Sequence, residues 1–202
     1  MLHPVEELFM RRLAETKNAE NAADYAALEQ GEYATKLRHD AVMDNVVGLD
    51  HEVLDLGCGT GLFLDKLIER GVKPQKYDGY DGITLRAGPF SERLQKHGVK
   101  GGFHYKPMSA SFESVSYGFY DAVVCIGVMG YWGYHTQEQV RSLHAKMRHV
   151  GDHGAMTFPM IWHPEAMGDG HIRRWAPSDI QDVLNASQAN TVVLEREFVI
   201  FW

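Results

Sequence analysis

From residue 51 onward the chain alternates short apolar runs with amphipathic helical patterns, and this limits the fold more than any other feature. EVLDL (52–56) reads as a strand and GLFLDKLIERG (61–71) as a helix with Leu62, Leu64, Leu67 and Ile68 as its apolar positions. QKYDGYD (75–81) reads as a strand and turn, and PFSERLQKHG (89–98) as a helix. Pro89 falls in the first turn of that helix, where its missing N–H does no harm. GGFHYKP (101–107) is a strand, and FYDAVVCIGVM (119–129) is a stronger one. The Ala-Val-Val-Cys-Ile run suits a strand covered on both faces. TQEQVRSLHAKMRHV (136–150) is a helix opened by Thr136 as N-cap, with Gln139 three residues on. GAMTFPM (154–160) is a strand, and PSDIQDVLNAS (177–187) is a helix starting near Ser178 or Asp179. TVVLEREFVIFW (191–202) reads as a strand. Such alternation predicts βαβ units and a mostly parallel sheet with helices on both faces.

The first 47 residues differ. Leu8, Phe9, Leu13 and Ala14 recur at helical spacing; AENAADYAALEQ (19–30) stops at Gly31, and EYATKLRHDAVMDNVV (32–47) at Gly48. With no Pro/Ser-rich linker, residues 1–47 are expected to pack as a helical segment on a main domain spanning 48–202. The full length of 202 residues suits one domain with a substantial core. A net charge of -7 without a long Lys/Arg run argues against a nucleic-acid groove as the main surface. The N-terminus lacks the apolar core of a signal peptide, and no stretch approaches the roughly 18 apolar residues of a membrane span. Only Cys58 and Cys125 occur, which points to a reducing cytoplasm without disulfides. Eleven scattered histidines show no metal-ligand spacing, so no metal site is expected.

Residues 53–63, VLDLGCGTGLF, carry the chemistry. A glycine-rich turn between strand and helix permits positive φ and close approach of a ligand to the backbone. It also lets the next helix pack close, and that helix's N-terminus favours negative charge. Dinucleotide turns read G-x-G-x-x-G. Here Gly57, Gly59 and Gly61 give G-x-G-x-G, with Asp55 two positions before the first glycine. VLDLGCGTG resembles the first motif of the class I S-adenosylmethionine-dependent methyltransferases, (V/I)LDxGxGxG, at every defining position.

The resemblance covers roughly residues 48–160 and implies a three-layer Rossmann-like methyltransferase fold. It implies S-adenosyl-L-methionine as methyl donor and S-adenosyl-L-homocysteine as product. The turn Gly57-Cys58-Gly59-Thr60-Gly61 would cradle the methionine part, with Asp55 beneath it. A carboxylate at the end of the second strand would accept from the ribose hydroxyls. Asp81, 20 positions after Gly61, is preferred over Asp78, with Gly82 and Ile83 following where the family pattern continues; Ile83 is an adenine-face contact or simply core. At the adenine edge the family often has Asp, whereas this chain offers Ser109 and the backbone of Ala110. YDAVVCIGVMGYW (120–132) resembles the fourth-strand signature and would end at Ile126 and Gly127 against the sulfonium. Val150-Gly151-Asp152-His153-Gly154 stands in place of the family's Pro-Gly-Gly segment before the fifth strand. Family members usually end in a hairpin. TVVLEREFVIFW lacks a Gly, Asn or Pro turn, so one long strand or a truncated sheet is expected, with homodimerisation through the uncovered edge.

Methyl transfer from a sulfonium needs alignment and exclusion of water more than acid–base help, so catalytic residues are weakly fixed by the fold. Candidate bases are His135 and His163, with Tyr33 as a further candidate. Tyr131, Trp132, Tyr134, Trp162 and Tyr25 are candidates for an apolar acceptor pocket, and 163–175 for a lid carrying Arg173 and Arg174. No (D/N)PP(Y/F) follows the fourth strand and no Pro-Cys pair is present, which argues against DNA amino and cytosine C5 methylation. The expected activity is transfer to O or N of a small-molecule acceptor. A protein or RNA methyltransferase, a non-catalytic S-adenosylmethionine-binding partner subunit and a dehydrogenase remain as alternatives.

Overall fold

The computed structural model describes residues 32–106, 112–129, 136–159, 175–181, 185, 190–194 and 197–202. Strands β1 (Glu52–Leu56), β2 (Lys76–Asp81), β3 (Phe103–Tyr105), β4 (Tyr120–Cys125), β5 (Gly151–Pro159), β6 (Asn190–Val193) and β7 (Glu197–Phe201) form one sheet. Its order is β3-β2-β1-β4-β5-β7-β6. β3, β2, β1, β4 and β5 are parallel neighbours, and β7 runs antiparallel to β5 and β6. Val53, Leu54, Leu56 and the whole of Ala122–Cys125 have no exposed surface, as a central parallel strand requires.

Helices α1 (Glu32–Asn45), α2 (Leu62–Glu69) and α3 (Ala87–His97) share one face of the sheet. Val42, Leu64, Leu67, Phe90 and Leu94 pack there with Val53, Val124 and Val199. The other face carries α4 (Gln137–Val150), whose Val140, Leu143 and Met147 pack with Leu54, Val123 and Phe158. The three expected layers are therefore present. α4 starts as its sequence predicts: Thr136 Oγ1 accepts from Gln139 N at 3.2 Å, and Gln139 Oε1 accepts from Thr136 N at 2.9 Å. α1 lies against β7 and α2.

The C-terminus departs from expectation. The segment is a hairpin, β6 then β7, closed by Leu194 N donating to Glu197 O at 2.8 Å, with Val193 opposite Phe198. The sheet is complete. In the sequence a polar Glu-Arg pair interrupts two β-prone runs, and the hairpin closes there without a glycine. The outer edge on this side is thus β6, and no strand is missing for a second copy to replace.

Residues 151–153 do not precede β5 but begin it. A Cβ on Gly151 would lie 2.3 Å from Val123 Cγ2, and one on Gly154 2.4 Å from Trp202 Cζ2, so close packing explains these glycines. Pro177–Ile180 forms a 3-10 turn, with Ala176 N donating to Asp179 Oδ2 at 2.8 Å, and Gln181 and Asn185 beyond it are α-helical as expected.

Candidate functional site

β1 has β2 on one side and β4 on the other, so the crevice beyond its carboxyl end is the switch point where open α/β sheets bind ligands. The glycine turn occupies that place. Gly57, Gly59 and Gly61 have φ of 80°, 56° and 87°, the left-handed region that suits glycine. A Cβ on Gly57 would stand 2.1 Å from Val128 Cγ2, in the segment after β4.

The loop is tied to β2. Gly57 N and Cys58 N both donate to Tyr80 O, at 2.7 and 3.2 Å, and Gly61 N donates to Cys58 O at 2.9 Å. Gly59 N donates to Asp81 Oδ2 at 3.0 Å. The cradle is therefore preformed. Cys58 turns its thiol inward: a Cβ on Gly79 would lie 2.6 Å from Cys58 Sγ.

Asp55 sits beneath the loop, 2% exposed, and accepts a 2.5 Å hydrogen bond from Tyr77 Oη. Burial pushes its carboxyl up to about 7, and the nearby charge of Asp81 adds to the effect against the Tyr77 bond. Burial, with Asp55 alongside, pushes the Tyr77 hydroxyl well above its ordinary value. Together the two side chains lock the end of β1 to β2.

Asp81 is fully buried, and both its oxygens face the crevice side of β2. Oδ2 accepts from Gly59 N and from Arg86 Nη1, each at 3.0 Å, and Oδ1 accepts from Ile83 N at 2.9 Å. An ionised carboxylate has about four acceptor directions, so Oδ1 retains one for a ligand donor. Asp78 is built into other structure: it takes Tyr120 Oη at 2.8 Å, Gly102 N at 3.0 Å and Lys76 Nζ at 3.0 Å. Only Asp81 of the two is bonded to the glycine loop.

Gly82 and Ile83 are buried immediately after Asp81. Ile126 is half-buried past the end of β4, and Gly127, at φ 71°, donates its N–H to Thr157 Oγ1 at 2.7 Å. Ser109, Ala110, His135 and His163 lie outside the described residues, as do Tyr25, Tyr131, Trp132, Tyr134, Trp162, Arg173 and Arg174. Tyr33 belongs to α1, but its side chain also lies outside them.

Sequence reasoning missed Tyr77, Arg86 and Thr157. Arg86 carried a signal, since it falls five residues past Asp81 at the start of a helical pattern; Tyr77 and Thr157 reach the site only through strand register. Among the described residues, no group of His, Cys, Asp and Glu is placed to hold a metal ion, and no helix is long and apolar enough to cross a membrane.

These residues fit S-adenosylmethionine. Left-handed glycines leave the loop backbone open to approach, Asp81 offers a buried acceptor for a ribose hydroxyl, and Thr60 Oγ1 is buried in the loop with no hydrogen-bond partner.

Residues 7–189 match the model of a family described as a methyltransferase domain. No curated protein matches significantly. Among solved structures, an S-adenosylmethionine-dependent methyltransferase from Clostridium acetobutylicum superposes with a TM-score of 0.65 at 13% identity, over 90% of this chain and 98% of that one. A DhpI-SAM-HEP complex superposes with 0.61 at 13% identity, over 98% and 96%. An O-methyltransferase family protein from Burkholderia thailandensis gives 0.63 at 12%, over 94% of this chain and 60% of that one. At these identities the likeness speaks for the fold, while the family match covers most of the chain. The chain belongs to the methyltransferase domain family and, by its fold and its glycine motif, is a class I S-adenosylmethionine-dependent methyltransferase.

Proposed function

We propose that this protein methylates an oxygen or nitrogen of a small-molecule acceptor. The observation that carries the reading is the preformed loop, fixed to Tyr80 O and to Asp81 at the switch point. S-adenosylmethionine supplies an activated methyl group on a sulfonium that departs as a neutral thioether. Asp81 would receive the ribose hydroxyls, the backbone of Gly57–Gly61 the methionine part, Ile83 the adenine face and Ile126 the sulfonium end. Ser109 and Ala110 would meet the adenine edge. His135, His163 or Tyr33 would hold the proton leaving the acceptor.

Two features favour a small acceptor. The net charge of -7 gives no basic footprint for nucleic acid. Cys125, the one cysteine on β4, is fully buried and its thiol is pushed well above its ordinary value by that burial, which removes it as a nucleophile. The same reading places the protein in the cytoplasm, supported by two buried free thiols, and leaves the edge of β6 as the surface through which two copies would pair.

Calorimetry with S-adenosylhomocysteine, followed by an acceptor panel read by mass, tests the proposal. Tight binding and a product heavier by one methylene are expected. NAD binding without S-adenosylhomocysteine binding would favour a dehydrogenase. Binding without turnover on any acceptor, peptide or RNA would favour a partner subunit.

A further inference from the structure

At the far side of β4 a buried ion pair is incompletely hydrogen-bonded. Arg38, from α1, reaches over the carboxyl edge of the sheet to the start of β7, where its Nε lies 3.0 Å from Glu197 Oε2. Glu197 is opposite Pro159, the last residue of β5, so the pair stands on the same edge as the glycine turn. Both side chains are largely buried, 18% and 15% exposed.

The contact is close but poorly aligned. Arg38 Nε and Glu197 Oε2 are both buried without a hydrogen bond. Among the described residues nothing accepts from the Nη groups of Arg38. A buried guanidinium so placed has donors to spare, and a half-satisfied buried pair is costly unless something completes it. Burial raises the Glu197 carboxyl against the pull of Arg38.

Arg38 also points at the place where chemistry is expected. A Cβ on Gly127 would lie 2.5 Å from Arg38 Nη1. Gly127 follows directly on Ile126, at the end of β4, next to the end of β1. Its missing side chain leaves the room that the guanidinium occupies.

We propose that Arg38 is an anion-binding residue of the methyl-transfer site, its free Nη face taking a carboxylate that lies beyond the end of β4. This rests on the methyltransferase reading above. Planar bidentate recognition of carboxylate is what a guanidinium does best. That carboxylate belongs to an acidic acceptor rather than to the methionine part of the methyl donor. Strand order favours the acceptor, because Arg38 spans β4 to β7 while the glycine turn, Asp55 and Asp81 are on the β1–β2 side.

Two nucleoside ligands separate the sources. S-adenosylhomocysteine carries the amino-acid carboxylate, and 5′-methylthioadenosine lacks it. Their affinities are measured for wild type, Arg38→Gln and Glu197→Gln, and benzoate is titrated into each protein saturated with 5′-methylthioadenosine. If instead the donor supplies the anion, Arg38→Gln weakens S-adenosylhomocysteine by about tenfold to a hundredfold and spares 5′-methylthioadenosine, as loss of a charged hydrogen-bonding partner requires, and the inference is overturned. If the acceptor supplies it, both nucleosides keep their affinity and benzoate binding disappears in Arg38→Gln. Glu197→Gln retains the guanidinium and is expected to keep or tighten anion binding in either case.

Unchanged binding of all three ligands in Arg38→Gln would overturn the inference, as would equal weakening of anion binding by Glu197→Gln, which marks a purely structural pair. The 5′-methylthioadenosine affinity certifies the fold of each variant. Wild-type protein that binds neither nucleoside would break the methyltransferase reading itself, and the Arg38 inference with it.

Discussion

The two sides of the switch point are built differently. On the β1–β2 side, backbone does the positioning: glycine φ angles, N–H groups donating to Tyr80 O, and one buried carboxylate that gathers two amides and Arg86. On the β4–β7 side, single side chains from distant parts of the chain meet over the sheet edge, as Arg38, Thr157 and Glu197 do around Gly127. The first arrangement is fixed by backbone, with Thr60 Oγ1 and one direction of Asp81 Oδ1 left over, and suits a ligand that never changes. The second keeps donors open and suits recognition that differs from one enzyme to the next.

The largest test of this contrast is Asp81→Ala. It removes the acceptor of three hydrogen bonds at a fully buried position and breaks a buried ion pair, for a cost of roughly 3–5 kcal/mol. Both the melting temperature and S-adenosylhomocysteine binding should fall together. A variant of native stability that had lost only binding would mean that Asp81 serves the ligand without holding the loop.

Asp55 comes next, through pH. Its carboxyl is raised from 3.8 to about 7 by burial, so between those values the folded protein holds a proton that the unfolded chain has released. The sign follows: stability falls as pH rises through that window, and the loss is complete above it. Buried His39 and His144, held down to about 3 and about 4 by burial, act in the opposite sense below pH 6.5, so the Asp55 effect is read as a difference: in urea unfolding the advantage of wild type over Asp55→Asn should shrink by roughly 2–3 kcal/mol between pH 5 and pH 8. Equal slopes in the two proteins would put the titrating group elsewhere.

The same contrast explains what could be read in the sequence. VLDLGCGTG sets a strand, a turn and a helix start within one contiguous stretch, so Asp55 and the glycines could be placed from that stretch and the family it resembles, and Asp81 from its distance beyond Gly61 and the same resemblance. Thr136 and Gln139 were legible for the same reason, because a helix cap is local. Arg38 and Glu197 were not: their meeting depends on α1 lying across β7, which no local pattern encodes. The hairpin was misread because its turn carries no glycine and its register is set by pairing with β5. Gly151 was placed ahead of β5 by the family pattern, whereas it opens that strand and packs on Val123.

Gly57→Ala probes the loop from its packed side. The added methyl meets Val128 Cγ2, and φ of 80° disfavours any side chain, for a combined cost of about 2–4 kcal/mol. Adding Val128→Ala relieves the contact but not the backbone strain, so thermal unfolding should recover only part of the loss. Full recovery would show that the left-handed backbone contributes little, and no recovery that the contact does.

The smallest effect expected is the most informative about independence. Thr136 caps α4, the helix that covers the far face of the sheet. Thr136→Ala removes the acceptor for Gln139 N, worth about 1 kcal/mol of stability. Among the described residues the glycine loop is bonded to Tyr80, Asp81 and Arg93, none of which lies on α4. S-adenosylhomocysteine affinity should therefore be unchanged at temperatures where the variant remains folded. A parallel loss of affinity, measured by calorimetry, would join the two sides into one cooperative unit and break the division between them.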